Sequence, residues 1–185
     1  MATSGLWGRL SNTSPRTAKL IGATALSSCV GVLLLMGMLG VRINASPSLP
    51  LGLYVETSDQ SGLVEFCPAE PFGSFAAARG YRSKGNCPDG ASPLMKPVIA
   101  RPGDLVETST RGIAVNGALV RNTAPRRLDS VGRAMTPWPF GTYRVPSGMI
   151  WVASSYNARS FDSRYFGPVA VSSIRAHLRP LLIEP

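Results

Sequence analysis

Three short segments of this chain hold residues whose types and spacing could do chemistry. The first is Asn44-Ala45-Ser46-Pro47-Ser48-Leu49-Pro50-Leu51-Gly52-Leu53-Tyr54, with two hydroxyls flanking a proline. The second is Lys96-Pro97-Val98-Ile99-Ala100-Arg101-Pro102-Gly103-Asp104, and the third is Ser160-Phe161-Asp162-Ser163-Arg164-Tyr165-Phe166-Gly167-Pro168. Taken singly, each has a plain explanation: a turn, a β-turn and an Asp162–Arg164 ion pair. Taken together they offer a nucleophile and a base. A serine hydroxyl is a weak nucleophile and needs a neighbour to take its proton. The only histidine, His177, lies among Arg175, Leu178 and Arg179 and reads as a surface or packing residue. Of the lysines, Lys19 precedes a long apolar stretch, and Lys84 sits in the polar run Arg82-Ser83-Lys84-Gly85-Asn86. Lys96 stands among Leu94, Met95, Pro97, Val98 and Ile99. A lysine is a base only when neutral, and bringing its pKa from about 10.4 to about 7–8 takes roughly 3–4 kcal/mol of differential desolvation. An apolar surround supplies that, so Lys96 is the candidate base.

In this order, and after an apolar anchor, the segments resemble the type I signal peptidase family. In that family a Ser next to a hydrophobic residue and Pro lies just beyond the membrane segment, a Lys precedes a Pro-Gly-Asp turn by six residues, and an Asp-Ser-Arg box follows near the C-terminus. The counterparts here are Ser48, Lys96 and Asp162-Ser163-Arg164. Ser-Leu-Pro-Leu-Gly-Leu-Tyr and Phe-Asp-Ser-Arg-Tyr-Phe-Gly-Pro look closest to the TraF branch, the peptidases of conjugative transfer systems. The resemblance covers most of residues 42–171. It implies a serine endopeptidase with Ser48 as nucleophile, Lys96 as base, Ser46 as oxyanion donor and Ser160 orienting the lysine amine. The Ser-x-x-Lys order of penicillin-binding proteins is absent. One departure stands out: the family's Gly-Asp-Asn before the last box is here Ser155-Tyr156-Asn157. Asp162 is expected to brace the site by pairing with Arg164, because a lone carboxylate beside Lys96 would favour the charged amine.

These residues need elements to position them. Residues 20–41 carry no charge and, as a helix, would be roughly 33 Å long, enough for a hydrocarbon core of about 30 Å. Arg9, Arg16 and Lys19 precede this stretch with no acid among them, so the positive-inside rule puts residues 1–19 in the cytoplasm and 42–185 outside. The expected organisation is a cytoplasmic tail (1–19), a transmembrane helix (20–41) and a periplasmic peptidase domain (42–185) at a bacterial inner membrane. Ile43-Asn44-Ala45-Ser46 leaves a cleaved signal as the other reading. Cys29 falls within the apolar stretch; Cys67 and Cys87 lie beyond it, where an oxidising compartment favours a Cys67–Cys87 disulfide over two buried thiols. Neither the cysteine spacing nor the single histidine suits a metal site, and no cofactor is expected.

The outer part reads as mainly β. Strands are predicted at 51–56, 98–100, 105–108, 113–115, 118–120, 143–145, 149–153 and 169–171. Asn116-Gly117 is a two-residue hairpin signal. One short helix is predicted around 71–79, and a long loop over 125–139. Many short strands between Gly and Pro turns suggest a folded-over β-sheet or small barrel. The formal net charge of +9 comes with sixteen Arg and three Lys, scattered rather than clustered; a nucleic-acid arm is therefore not expected. Three functions follow. The first is maturation of a membrane-inserted precursor, most specifically a conjugative pilin, with or without cyclisation, the partners being that precursor, the bilayer and other transfer components. The second is general removal of signal peptides. The third is a non-enzymatic anchored subunit of a transfer apparatus.

Overall fold

The computed structural model describes residues 30–31, 34–60 and 62–184. The tail 1–19, Cys29 and most of the predicted span 20–41 lie outside the described residues. Among the described residues no helix is long and apolar enough to cross a membrane. The chain divides into two units, Met1–Gly40 and Val41–Pro185. In the first, residues 34–38 are helical. The second begins with a strand at Val41, the last residue of the predicted span.

The second unit is built from eleven antiparallel strands: β1 (Val41–Asn44), β2 (Gly52–Glu56), β3 (Leu63–Phe66), β4 (Leu94–Ala100), β5 (Leu105–Ser109), β6 (Gly112–Val115), β7 (Ala118–Leu119), β8 (Gly141–Arg144), β9 (Met149–Val152), β10 (Val169–Ala170) and β11 (Ile174–Ile183). A seven-stranded sheet runs β1-β2-β11-β3-β4-β9-β10, and a four-stranded sheet runs β7-β6-β5-β8. Two short helices, α1 (Phe72–Ala78) and α2 (Ser163–Phe166), complete the unit. The predicted mainly β class and the helix near 71–79 agree with this. Three strands, β1, β3 and β11, were not expected, and the last of them is a central strand, between β2 and β3.

Local chemistry accounts for the turns. Asn116 and Gly117 both take positive φ, 50° and 84°, as a tight hairpin between β6 and β7 requires. Gly167 ends α2 at φ 70° with the Trp138 ring against it; a Cβ there would lie 2.6 Å from that ring. The segment from 125 to 139 is a loop, as predicted, with one isolated bridge pairing Leu128 with Ala134.

Three apolar clusters hold the sheets. Val64, Phe66, Leu94, Ile150, Val152 and Phe166 form the largest, between the long sheet and the helices. Val106, Ile113, Val145 and Trp151 join the small sheet to the end of β9. Leu49, Tyr54, Leu63 and Leu178 pin the loop after β1. Each fully buried aliphatic or aromatic side chain of this kind stabilises the fold by roughly 1.5–3 kcal/mol. Cys67 and Cys87 are disulfide-bonded, with Cα atoms 5.7 Å apart, and the loop they close contains α1. The buried Arg82 side chain ties the same loop inward, donating to Asp89, the Gly73 carbonyl and the Ser92 carbonyl. The long sheet curls strongly. Ser154, just beyond β9, hydrogen bonds to the Ser48 carbonyl in the loop joining β1 to β2, although β1 and β9 stand near opposite ends of the strand order.

Candidate active site

Ser48 sits on a loop whose shape is set by one side chain. Asn44, at the end of β1, donates its amide to the carbonyls of Ser46, Leu49 and Pro50 and accepts from the Ser46 N–H. Tyr54 donates its hydroxyl to the Pro50 carbonyl at 2.8 Å. From the other side, Asn157 donates to the Pro47 carbonyl at 3.0 Å. The loop is thus held at five successive carbonyls, Ser46 to Pro50, by nearby Asn44 and Tyr54 and by the distant Ser154 and Asn157. Ser48 is 7 % exposed. Its Oγ lies 3.0 Å from Ser46 Oγ, and its N–H points at that same oxygen at 3.4 Å. The Ser46 hydroxyl and the Ser48 N–H therefore stand together beside the Ser48 oxygen, the N–H donating to the Ser46 hydroxyl oxygen.

Lys96 is placed by β4, where Val64 of β3 is its partner. On the other edge, β9 pairs with Val98 and Ala100 alone, so Leu94–Lys96 keep an edge free beside the site. Pro97 has no N–H to offer a ladder there. Lys96 is 3 % exposed. Burial pulls its pKa down from 10.5 to about 8; the nearby Asp162 carboxylate pulls it up and the Arg164 guanidinium pulls it down. Desolvation dominates because the two neighbouring charges oppose one another. The other described lysine, Lys84, is exposed.

Asp162 and Arg164 form a closed unit behind Lys96. Both are buried, at 0 % and 2 % exposure. Asp162 caps α2, accepting from the Arg164 N–H, from Arg164 Nε at 2.7 Å and Nη2 at 2.9 Å, and from the Ser154 N–H at 3.0 Å. The five side-chain N–H donors of Arg164 are all used, the remainder on the carbonyls of Asn122, Ala158 and Ser154. A buried ion pair is tolerable when every donor and lone pair is satisfied in this way.

Ser46, Ser48, Lys96 and Ser160 line one cavity of about 290 Å³, together with Tyr81, Met135 and Phe161. A second depression of about 480 Å³ adjoins it, sharing Ser46, Ser48 and Lys96 and adding Arg42, Asn44 and Glu65. The Ser160 hydroxyl is buried without a hydrogen-bond partner among the described residues. Of the residues expected from sequence, Ser46, Ser48, Lys96 and Ser160 share this cavity, with Asp162 and Arg164 behind it. His177 does not join them; it lies on β11 opposite Val64. Ser154 went unnoticed in the sequence. It is fully buried, donates to the Ser48 carbonyl and accepts from the N–H groups of Tyr156 and Asn157. Asn157, noted only as a departure, holds the Pro47 carbonyl. No sequence signal marks Ser154; Asn44 two residues before Ser46 is a readable Asx-turn.

The residues present suit acyl transfer: a hydroxyl, an amine whose pKa burial lowers to about 8, and polar hydrogens beside them. Comparisons with known proteins point the same way. The chain is 35% identical over 175 residues, 90% of this chain and 98% of the relative, to "Plasmid transfer protein TraF" of Escherichia coli. It is 41% identical over 155 residues, 79% of this chain and 85% of the relative, to "Conjugal transfer protein TraF" of Agrobacterium fabrum. A shorter match, 33% identity over 88 residues covering 44% of this chain and 52% of the relative, is to "Signal peptidase I V" of Bacillus subtilis. The family profile described as "Signal peptidase, peptidase S26" matches residues 16–182. With the matched residues spanning the Ser48 loop, Lys96 and the Asp162–Arg164 box, the chain belongs to the signal peptidase family and stands among its TraF-type members.

Proposed function

We propose that this chain is a membrane-anchored serine endopeptidase in which Ser48 and Lys96 form the catalytic dyad, acting on a membrane-inserted precursor, most specifically a conjugative pilin. The observation that carries the dyad is the burial of Lys96 in the wall that also holds Ser48 and Ser46. Neutral Lys96 takes the Ser48 proton as Oγ attacks the scissile carbonyl carbon. Ser46 Oγ and the Ser48 N–H donate to the oxyanion. Collapse of the intermediate breaks the C–N bond, and protonated Lys96 hands its proton to the leaving amine. An acyl ester on Ser48 remains, and either water or an amine of the substrate releases it. Asp162 and Arg164 are positioning residues, and Ser160 supplies a hydroxyl for the lysine amine.

The conjugative-transfer context of this reading is supported by the names of the relatives, "Plasmid transfer protein TraF" and "Conjugal transfer protein TraF". The uncharged stretch 20–41 after Arg9, Arg16 and Lys19 supports an anchor with the catalytic unit on the periplasmic side of the inner membrane. The test is processing of a candidate pilin precursor by wild type, Ser48→Ala and Lys96→Ala. Only the wild type is expected to process it, and activity surviving in Lys96→Ala refutes the dyad. Mass spectrometry of the product separates a water-added linear chain from a cyclic one. A second reading, general removal of signal peptides, draws on the Bacillus subtilis signal peptidase match. Complementation of a strain lacking its main signal peptidase would favour it.

A further inference from the structure

The two depressions that meet at Ser48 differ in charge. On the side of β1, Arg42 is spent on Glu56 and on Glu65, whose side chain is nearly buried. That wall is neutralised from within. The cavity on the other side is lined by Arg126 and Arg159 as well as Lys96, and its one acid, Asp129, is already taken by Tyr81 and by Arg133. Neither the Arg126 nor the Arg159 side chain has a hydrogen-bond acceptor among the described residues. Their backbones, in contrast, are fixed. The Arg126 N–H donates to the Tyr165 hydroxyl on α2, and the Arg159 N–H donates to the Asn157 side chain, the same residue that holds the Pro47 carbonyl. Two free guanidinium groups are thus carried on rigid backbone at the mouth of the cavity that contains the candidate nucleophile.

We propose that Arg126 and Arg159 read a carboxylate on the substrate segment flanking the scissile bond, on the side of Ser48 away from β1. The inference rests on the peptidase reading. A planar guanidinium matches a carboxylate with two parallel N–H donors. The carboxylate is an acidic side chain of that segment. At an exposed site the attraction is screened by salt, so it sets a preference rather than an absolute requirement.

The test uses the full chain in detergent with internally quenched peptides. Each carries Glu or Gln at one of several positions around the central bond, with an amidated C-terminus. The readouts are the Glu:Gln ratio of cleavage by wild type, and the Glu:Gln ratio of binding to Ser48→Ala protein. Both ratios are expected to favour Glu at one position by about tenfold, and to fade at high salt. Loss of that ratio in an Arg126→Gln/Arg159→Gln double variant supports the proposal. The exposure of both side chains makes misfolding of that variant no concern. Retention of the preference in the double variant, equal ratios in wild type, or no binding of any acidic peptide overturns it. Acid-selective binding without cleavage by wild type sinks the peptidase reading alone. Ser48-dependent cleavage that ignores the acid sinks this inference alone.

Discussion

Replacing Lys96 by Met should destroy activity and make the protein more stable. Met preserves the length and volume of the side chain without its charge, and volume-conserving changes disturb packing least. In the wild type the ammonium is held out of water, with its pKa drawn from 10.5 to about 8. That depression corresponds to a penalty of about 3 kcal/mol at pH 7 that the variant does not carry. Between pH 8 and 10.5 the unfolded chain retains a proton that folded Lys96 has released, so wild-type stability from this group rises with pH through that window. The penalty is complete below it, and by pH 9.5 it has fallen to about 1.4 kcal/mol. Thermal denaturation of Lys96→Met against wild type at pH 7 should therefore show a gain of about 6–12 °C, shrinking as pH rises. Peptidase turnover of the wild type should climb through about pH 8 as the amine deprotonates. The variant should lose about 10²–10⁴-fold or more at every pH, the contribution of a general base. A Met variant less stable than wild type at pH 7, or a stability difference that does not narrow toward pH 9.5, refutes the account of Lys96 as a desolvated base.

Two further substitutions test the scaffold. Asp162→Ala strands a buried guanidinium and the Ser154 N–H, and should cost about 3–5 kcal/mol in chemical denaturation. In the fraction that stays folded, loss of the carboxylate and retention of Arg164 shift the rise in activity to lower pH, because Asp162 is the group holding the Lys96 pKa up; a shift to higher pH contradicts the opposition of charges described above. Replacing Cys67 and Cys87 together by Ser opens a loop with a sequence separation of 20, for which the chain-entropy account gives a loss of about 3 kcal/mol. The melting temperature of that variant should not respond to reductant, whereas the wild type's should drop.

Lys96 was legible because its neighbours are apolar and its competitors are few. The same holds for the Asn116-Gly117 hairpin, whose turn needs backbone angles that few residue pairs supply. The strand β11 was not legible, and its composition explains why. Arg175, Arg179 and Pro180 interrupt any alternation, and the pairing with β2 shifts register between Pro180 and Leu182. β3 is only Leu63–Phe66, all four residues buried, too short and too uniformly covered to show a period of two. β1 was hidden because Val41 reads equally well as the end of an apolar stretch. In the site, the proposed nucleophile and base, Ser48 and Lys96, were visible by chemical type. Ser154, which holds a backbone carbonyl 106 positions away, was not, since any polar side chain of the right length could have been assigned such a task.

The attachment of the Ser48 carbonyl to Ser154 bears on biosynthesis. The two residues are separated by 106 positions, which a ribosome takes roughly 5–20 s to translate. Asn157 follows Ser154, and the strand that completes the middle of the long sheet, β11, emerges later still. Ser48 is therefore among the first parts of the second unit to be made and among the last to be fully held in place. A nascent chain halted before residue 154 carries Ser48 and Lys96 with the Asn44 and Tyr54 bonds to the loop available, but without those from Ser154 and Asn157.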